Sequence, residues 1–102
     1  MKGVPKSIVI GGRKIRIRVL KRLKDAFGTY DHDAGIISIS AEAAADPKVL
    51  RGTLIHEIIH GALSVGGVAF LEFYQDEAIV RCLEQNLIPA LDNLNARLGV
   101  GE

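Results

Sequence analysis

The sequence predicts an α+β fold in a single domain. The expected architecture is a small antiparallel or mixed sheet of N-terminal hairpins, packed on a long helix that carries His-Glu-x-x-His; a second, antiparallel helix and a short C-terminal helix follow. Three observations predict it. Strand-like alternation of apolar and polar residues lies in the first 40 positions, a largely apolar helical stretch comes next, and two further segments carry leucine and isoleucine at helical spacing. A length of 102 residues suits one domain with one core.

The strand signals fall into two groups. Residues 7–20 contain two β-type runs joined by Gly11-Gly12, which predicts a basic β-hairpin. In the second run charged and apolar residues alternate at period two, as a half-buried strand requires. Residues 27–40 form two more short extended segments around the turn sequence Asp33-Ala34-Gly35. We expect the last segment, up to Ser40, to bury one side and to lie near a sheet edge.

The next helix has clear start and stop signals. Asp46 is a good N-cap, Pro47 suits the first helical position, and Gly66-Gly67 favours termination. The helix is therefore expected over about residues 47–65.

Two shorter helices are predicted after it. The second helix is expected over about residues 71–87 and the C-terminal helix over about residues 90–98, with Pro89 breaking or kinking the chain between them. The C-terminal helix is amphipathic in sequence, with Leu91, Leu94 and Leu98 on one face.

Composition limits the location and the partners. No run approaches the roughly 18 apolar residues that span a bilayer, and the N-terminal residues lack the apolar stretch of a signal peptide, so we expect a cytoplasmic protein without membrane contact. The single cysteine, Cys82, excludes an internal disulfide and a cysteine-based zinc site.

The charge is unevenly distributed. Most of the 13 basic residues and none of the 12 acidic ones lie in the first 24 positions. A nucleic-acid surface is one interpretation of this basic arm. No aromatic residue is interleaved for base stacking, so a solvated strand face is favoured.

The motif His56-Glu57-x-x-His60 indicates metal chemistry. Histidines four residues apart lie on one helix face, so both imidazoles can reach one ion. Glu57 can then accept a proton from water bound to that ion. Two core histidines satisfied by their neighbours are the alternative, but burying them with a carboxylate on an apolar helix is costly without a partner.

A catalytic zinc ion usually has three protein ligands and one open position. The only other histidine is His32, which lies upstream, so a downstream carboxylate is expected. The candidates are Glu72, Asp76, Glu77 and Glu84. Glu77 enters an apolar-periodic helix, and the sixteen residues that separate it from His60 allow a turn and an antiparallel return.

The pair of motifs, His56-Glu57-x-x-His60 followed by Glu77-Ala78-Ile79, resembles the gluzincin arrangement of thermolysin-like metallopeptidases. With a small sheet before the metal helix, the chain is similar to minimal gluzincins and to the compact metallopeptidases of phages and bacteria, including the ImmA/IrrE-like group. This resemblance covers roughly residues 27–87. It implies that His56, His60 and Glu77 bind Zn2+ and that Glu57 is the general base. The chain departs from thermolysin-like enzymes in its shorter spacing to Glu77, the lack of a later histidine and the lack of a second lobe.

Other residues are weaker candidates. Asp76 is a candidate acceptor for a histidine N–H, and the donors that could stabilise a transition state are Tyr30, His32, Tyr74 and Arg81. In the folds that the chain resembles, the strand before the metal helix binds peptide by edge pairing. Here that strand would comprise Gly35, Ile36, Ile37, Ser38 and Ile39.

The predicted function is zinc-dependent hydrolysis of peptide bonds in a peptide or protein substrate, by a monomer or weak homodimer. The alternative is a zinc-stabilised regulatory module that binds protein or nucleic acid and has latent or no peptidase activity.

Overall fold

Four strands form one mixed sheet. The computed structural model describes residues 3–24, 26–66 and 77–99. The strands are β1 (Ser7–Ile10), β2 (Arg13–Leu20), β3 (Gly28–Asp31) and β4 (Ile36–Ser40), in the spatial order β1-β2-β4-β3. β1 and β2 form the expected antiparallel hairpin, β4 pairs parallel with β2, and β3 pairs antiparallel with β4.

The position of β4 corrects one prediction. β4 lies between β2 and β3, so the backbone groups of residues 35–39, the expected substrate edge (Gly35, Ile36, Ile37, Ser38 and Ile39), face strands on both sides. Both faces of β4 are also covered, because Ser38 and Ser40 are buried along with the isoleucines. Arg18 Nε donates to Ser38 Oγ at 2.7 Å, and Ser40 Oγ caps the following helix. The outer strand on this side of the sheet is β3.

The core lies between the sheet and two helices, α1 (Ala41–Ala44) and α2 (Pro47–Val65). Apolar residues from three strands and α1 form its buried centre, and the apolar side chains of α2 pack against it: Val49, Leu50, Leu54, Ile58 and Val65. In β2 the predicted alternation is confirmed at its centre, where Ile15 and Ile17 are buried while Lys14 and Arg16 are exposed. α2 begins as predicted, since the Asp46 carboxylate accepts the N–H groups of Lys48 and Val49.

The last helical run is continuous where a break or a kink was expected. α3 (Glu77–Cys82), a π-helical turn (Leu83–Leu87) and α4 (Ile88–Leu98) follow one another directly. Proline lacks an N–H and clashes with the carbonyl four residues earlier, and a wider turn accommodates both effects. The π turn ends at Leu87, two residues before Pro89, and α4 follows it without a gap, so the chain is distorted near Pro89 and not interrupted. The expected start of the second helix near residue 71 lies outside the described residues.

The fold is therefore α+β, as predicted, with a four-stranded mixed sheet and helices after it. The leucine face of α4 is exposed among the described residues, with Leu98 65% exposed. In the described part of the chain, no helix combines the length and the apolar character that a membrane span needs.

Candidate metal centre

The centre begins with the histidine pair on α2. His56 and His60 lie one turn apart on the same face, with their ring centroids 5.0 Å apart and their planes at 64°. Both side chains are only partly exposed, 27% for His56 and 16% for His60. The helix thus presents two imidazoles to one point in space.

Glu77, the first residue of α3, faces both imidazoles. Its Oε1 lies 3.1 Å from His56 Nε2, and its Oε2 lies 3.2 Å from His60 Nε2. One ligand atom from each residue lies within 4.8 Å of the others. Ligands of a tetrahedral zinc ion are about 3.4 Å apart when the metal–ligand distances are about 2.1 Å. The distances among the ligand atoms of His56, His60 and Glu77 are therefore compatible with all three binding one zinc ion.

Glu84 completes the arrangement in a role that the sequence analysis did not give it. Its Oε1 lies 3.2 Å from His56 Nδ1. A carboxylate only accepts hydrogen bonds, so in the tautomer that carries its proton on Nδ1 the ring donates to Glu84 and the Nε2 lone pair faces Glu77. The lone pairs of His56 Nε2 and Glu77 Oε1 would then face each other at 3.1 Å, and they need a cation or a second proton between them. The seven-residue spacing from Glu77 to Glu84, two helical turns, was the available signal.

Glu57 has an unusual environment for a carboxylate. It is 6% exposed, and this burial raises its pKa to about 7; the charge of His56 lowers it, and the charges of Glu77 and Glu84 raise it further. Together with the two histidines and Glu77, Glu57 lines a cavity of about 500 Å³. A carboxyl group with a pKa near neutrality can both take and return a proton.

Two glycines let the sheet approach α2 beside these groups. A Cβ on Gly28, at the start of β3, would lie 2.6 Å from Thr53 Cγ2 and 3.3 Å from Glu57 Cγ. A Cβ on Gly61 would lie 2.9 Å from Ile10 Cδ1 and 3.3 Å from Tyr30 Cε1. The absence of side chains at these positions brings β3 directly against the motif.

The structure separates the weaker candidates. Tyr30, on β3, lines the same cavity as His60 and Glu77. His32 lies apart from the cluster of His56, His60 and Glu77: its Nδ1 contacts Tyr30 Oη and an Arg13 nitrogen, each at 3.4 Å, and makes a short hydrogen bond with Ser64 Oγ.

Arg81 is exposed on α3 and does not line the 500 Å³ cavity as far as the described residues form it. Asp76 and Tyr74 lie outside the described residues.

No protein-family model, curated protein or solved structure matches this chain. The resemblance to gluzincins therefore stays a prediction based on the motif residues.

Proposed function

We propose that this chain is a zinc-dependent peptidase of the minimal gluzincin type, with His56, His60 and Glu77 as metal ligands. The observation that carries the proposal is the position of Glu77, whose two carboxylate oxygens face the Nε2 atoms of both histidines at 3.1 and 3.2 Å. Two imidazole nitrogens and one carboxylate are a donor set of catalytic zinc sites. The fourth position would be left for water or substrate.

The chain's own residues supply the proton chemistry. A zinc ion held there would polarise the scissile carbonyl and acidify its bound water. Glu57, which lines the same cavity as His56, His60 and Glu77, would take a proton from the attacking water and return it to the leaving amine nitrogen. Glu84 holds His56 through Nδ1, which fixes the tautomer and the direction of Nε2.

β3 takes the role first expected for β4. Among the described strands it is the outermost next to the metal centre, and Gly28, Thr29 and Tyr30 line the cavity there. An extended peptide that adds to the outer edge of β3 would cross the cavity with its backbone held by main-chain hydrogen bonds. The zincin-type arrangement of sheet and motif helix is thus part of the proposal.

Metal content tests the ligand assignment. Purified wild-type protein should bind one zinc ion per chain, and His56→Ala, His60→Ala and Glu77→Ala should each lower the affinity at least a hundredfold. Glu42→Gln is the control, because Glu42 is an exposed carboxylate on α1. Zinc bound equally by wild type and His60→Ala would contradict the site.

Hydrolysis of a mixed peptide library tests the general base. Glu57→Gln should retain zinc and lose cleavage by at least a thousandfold. Cleavage at the wild-type rate by this variant would remove Glu57 from the reaction. Zinc-loaded wild type that cleaves nothing would favour a binding module over a peptidase.

A further inference from the structure

Three cavities run together around residues 26–28. The first is the cavity of the metal centre, and the second, of about 400 Å³, lies over His56, Glu57 and Glu84. The third, of about 790 Å³, leads away from the centre along residues 21–24. Ala26 lines all three, and Phe27 lines the second and third. The three cavities therefore adjoin at Ala26 and Phe27, and together we call them the groove.

The far end of this groove is basic. Lys21, Arg22 and Lys24 line it, next to the apolar walls of Leu23 and Phe27. All three cations are exposed. Within residues 3–24, 26–66 and 77–99, none of them has an ion-pair or hydrogen-bond partner, whereas Arg51 is paired with Asp92 and Arg18 with Ser38. Three unpaired positive charges in four consecutive residues create a local positive potential that attracts anionic groups.

We propose that this groove selects acidic peptides, with aspartate or glutamate side chains over Lys21, Arg22 and Lys24 while the backbone crosses the metal centre along β3. The inference rests on the proposed function, since it names the substrate class of the same site. Lys21, Arg22 and Lys24 lie in the connection from β2 to β3, which leads into Gly28 at the start of β3. A peptide added to β3 that extends beyond Gly28 emerges beside this connection, and there we place its acidic side chains.

The walls of the cavity favour a peptide over a nucleic acid. Phe27 is 49% exposed beside the cations, and it offers an apolar contact for one side chain. Glu42 also lines this cavity and would repel a continuous phosphate backbone. An acidic peptide can place neutral residues near Glu42 and acidic ones over the three cations.

Binding, measured without turnover, tests the inference. The probes are three fluorescent peptides that share the same apolar central residues. These residues are flanked on both sides by glutamate in one peptide, by glutamine in the second and by lysine in the third. Binding is measured to the full-length Glu57→Gln chain. Two or three exposed ion pairs, each worth about two- to fivefold, should favour the glutamate peptide about tenfold over the glutamine peptide at 50 mM salt. This preference should shrink at 300 mM salt because the charges are screened.

Charge reversal locates the surface. The double variant Lys21→Glu with Lys24→Glu should lower the affinity for the glutamate peptide about tenfold. Its affinity for the glutamine peptide should stay within twofold of the value for the unreversed chain. The matched control is Lys6→Glu with Lys14→Glu, which changes the net charge equally at two exposed lysines of the β1–β2 region. Equal affinities for the glutamate and glutamine peptides, or an equal loss in the control, would overturn the proposal. So would a single-stranded oligonucleotide that binds tighter than the glutamate peptide and depends on Lys21 and Lys24.

This outcome is separate from that of the proposed function. A chain that holds zinc and cleaves peptides regardless of their charge keeps the function and loses the selectivity. If the chain prefers the glutamate peptide but holds no zinc, the selectivity of the basic groove stands and the peptidase function does not.

Discussion

Replacing Glu57 by glutamine should stabilise the metal-free protein by an amount that depends on pH. The unfolded chain releases the Glu57 proton near pH 4.5, whereas the folded chain keeps it until about pH 7, chiefly because the side chain is buried. Between these values the folded state binds more protons, so wild-type stability falls as pH rises. Glutamine is close in shape to the protonated acid and does not titrate, so the stability of the variant does not fall with pH for this reason.

The size of the effect follows from the two pKa values. One pKa unit corresponds to about 1.4 kcal/mol, so the cost of ionising Glu57 in the folded state reaches about 3 kcal/mol at pH 8 and about 1 kcal/mol at pH 5. In urea titrations with a chelator present, the midpoint of Glu57→Gln should exceed that of wild type by roughly 2 M more at pH 8 than at pH 5. Glu42→Gln, which removes an exposed charge, is the control.

A gap between variant and wild type that is the same at both pH values would refute the reasoning. It would mean that Glu57 titrates alike in the folded and unfolded chains. Repeating the titration with zinc adds a second comparison. A nearby cation favours the carboxylate, so the pH-dependent part of the gap should decrease when zinc is bound.

Three further predictions concern the surroundings of the centre. Glu84→Gln should weaken zinc binding about tenfold in a competition with a chelator, because His56 Nδ1 loses its charged acceptor. Gly28→Ala should lower the free energy of unfolding by about 1–3 kcal/mol, and Thr53→Ser in the same chain should restore part of it by removing the clashing methyl group. In hydrogen exchange, adding a chelator to the zinc-loaded protein should deprotect the amides of α3 and α4 while those of β2 and β4 stay protected.

Local signals in the sequence were sufficient for much of the fold. The side chain of Asp46 and the fixed φ of Pro47 act within one turn, so the start of α2 could be placed from these two residues. The β1–β2 hairpin depends on Gly11 and Gly12, which both have positive φ angles. The histidine pair was equally local, since helix geometry alone puts His56 and His60 on one face.

The features that sequence reasoning missed depend on distant parts of the chain. β4 is an inner strand because it pairs with β2, about twenty residues earlier, and its own alternation of isoleucine and serine also suits an edge strand. The burial of Ser38 has the same origin, since Arg18 on the neighbouring strand covers and bonds it. The seven-residue spacing puts Glu84 on the same helix face as Glu77, but its contact with Nδ1 depends on which histidine nitrogen faces the returning helix, and the spacing does not contain that information.

The division of the candidate centre between two parts of the molecule would give a bound metal a structural role as well. α2 supplies both histidines and Glu57, and it is fixed to the sheet through the apolar core. The helical run of α3, the π turn and α4 supplies Glu77 and Glu84, yet in the described part of this run Val80 is the one apolar side chain that is buried. Among the described residues, the ion pairs between this run and α2 are those of Glu77 and Glu84 with the histidines and of Asp92 with Arg51. Exposed ion pairs of the Arg51 type contribute little, about 0–1 kcal/mol. An ion shared by His56, His60 and Glu77 would therefore attach the helical run to the rest of the fold. The metal–ligand bonds of the proposed catalytic centre would then also hold α3 against α2.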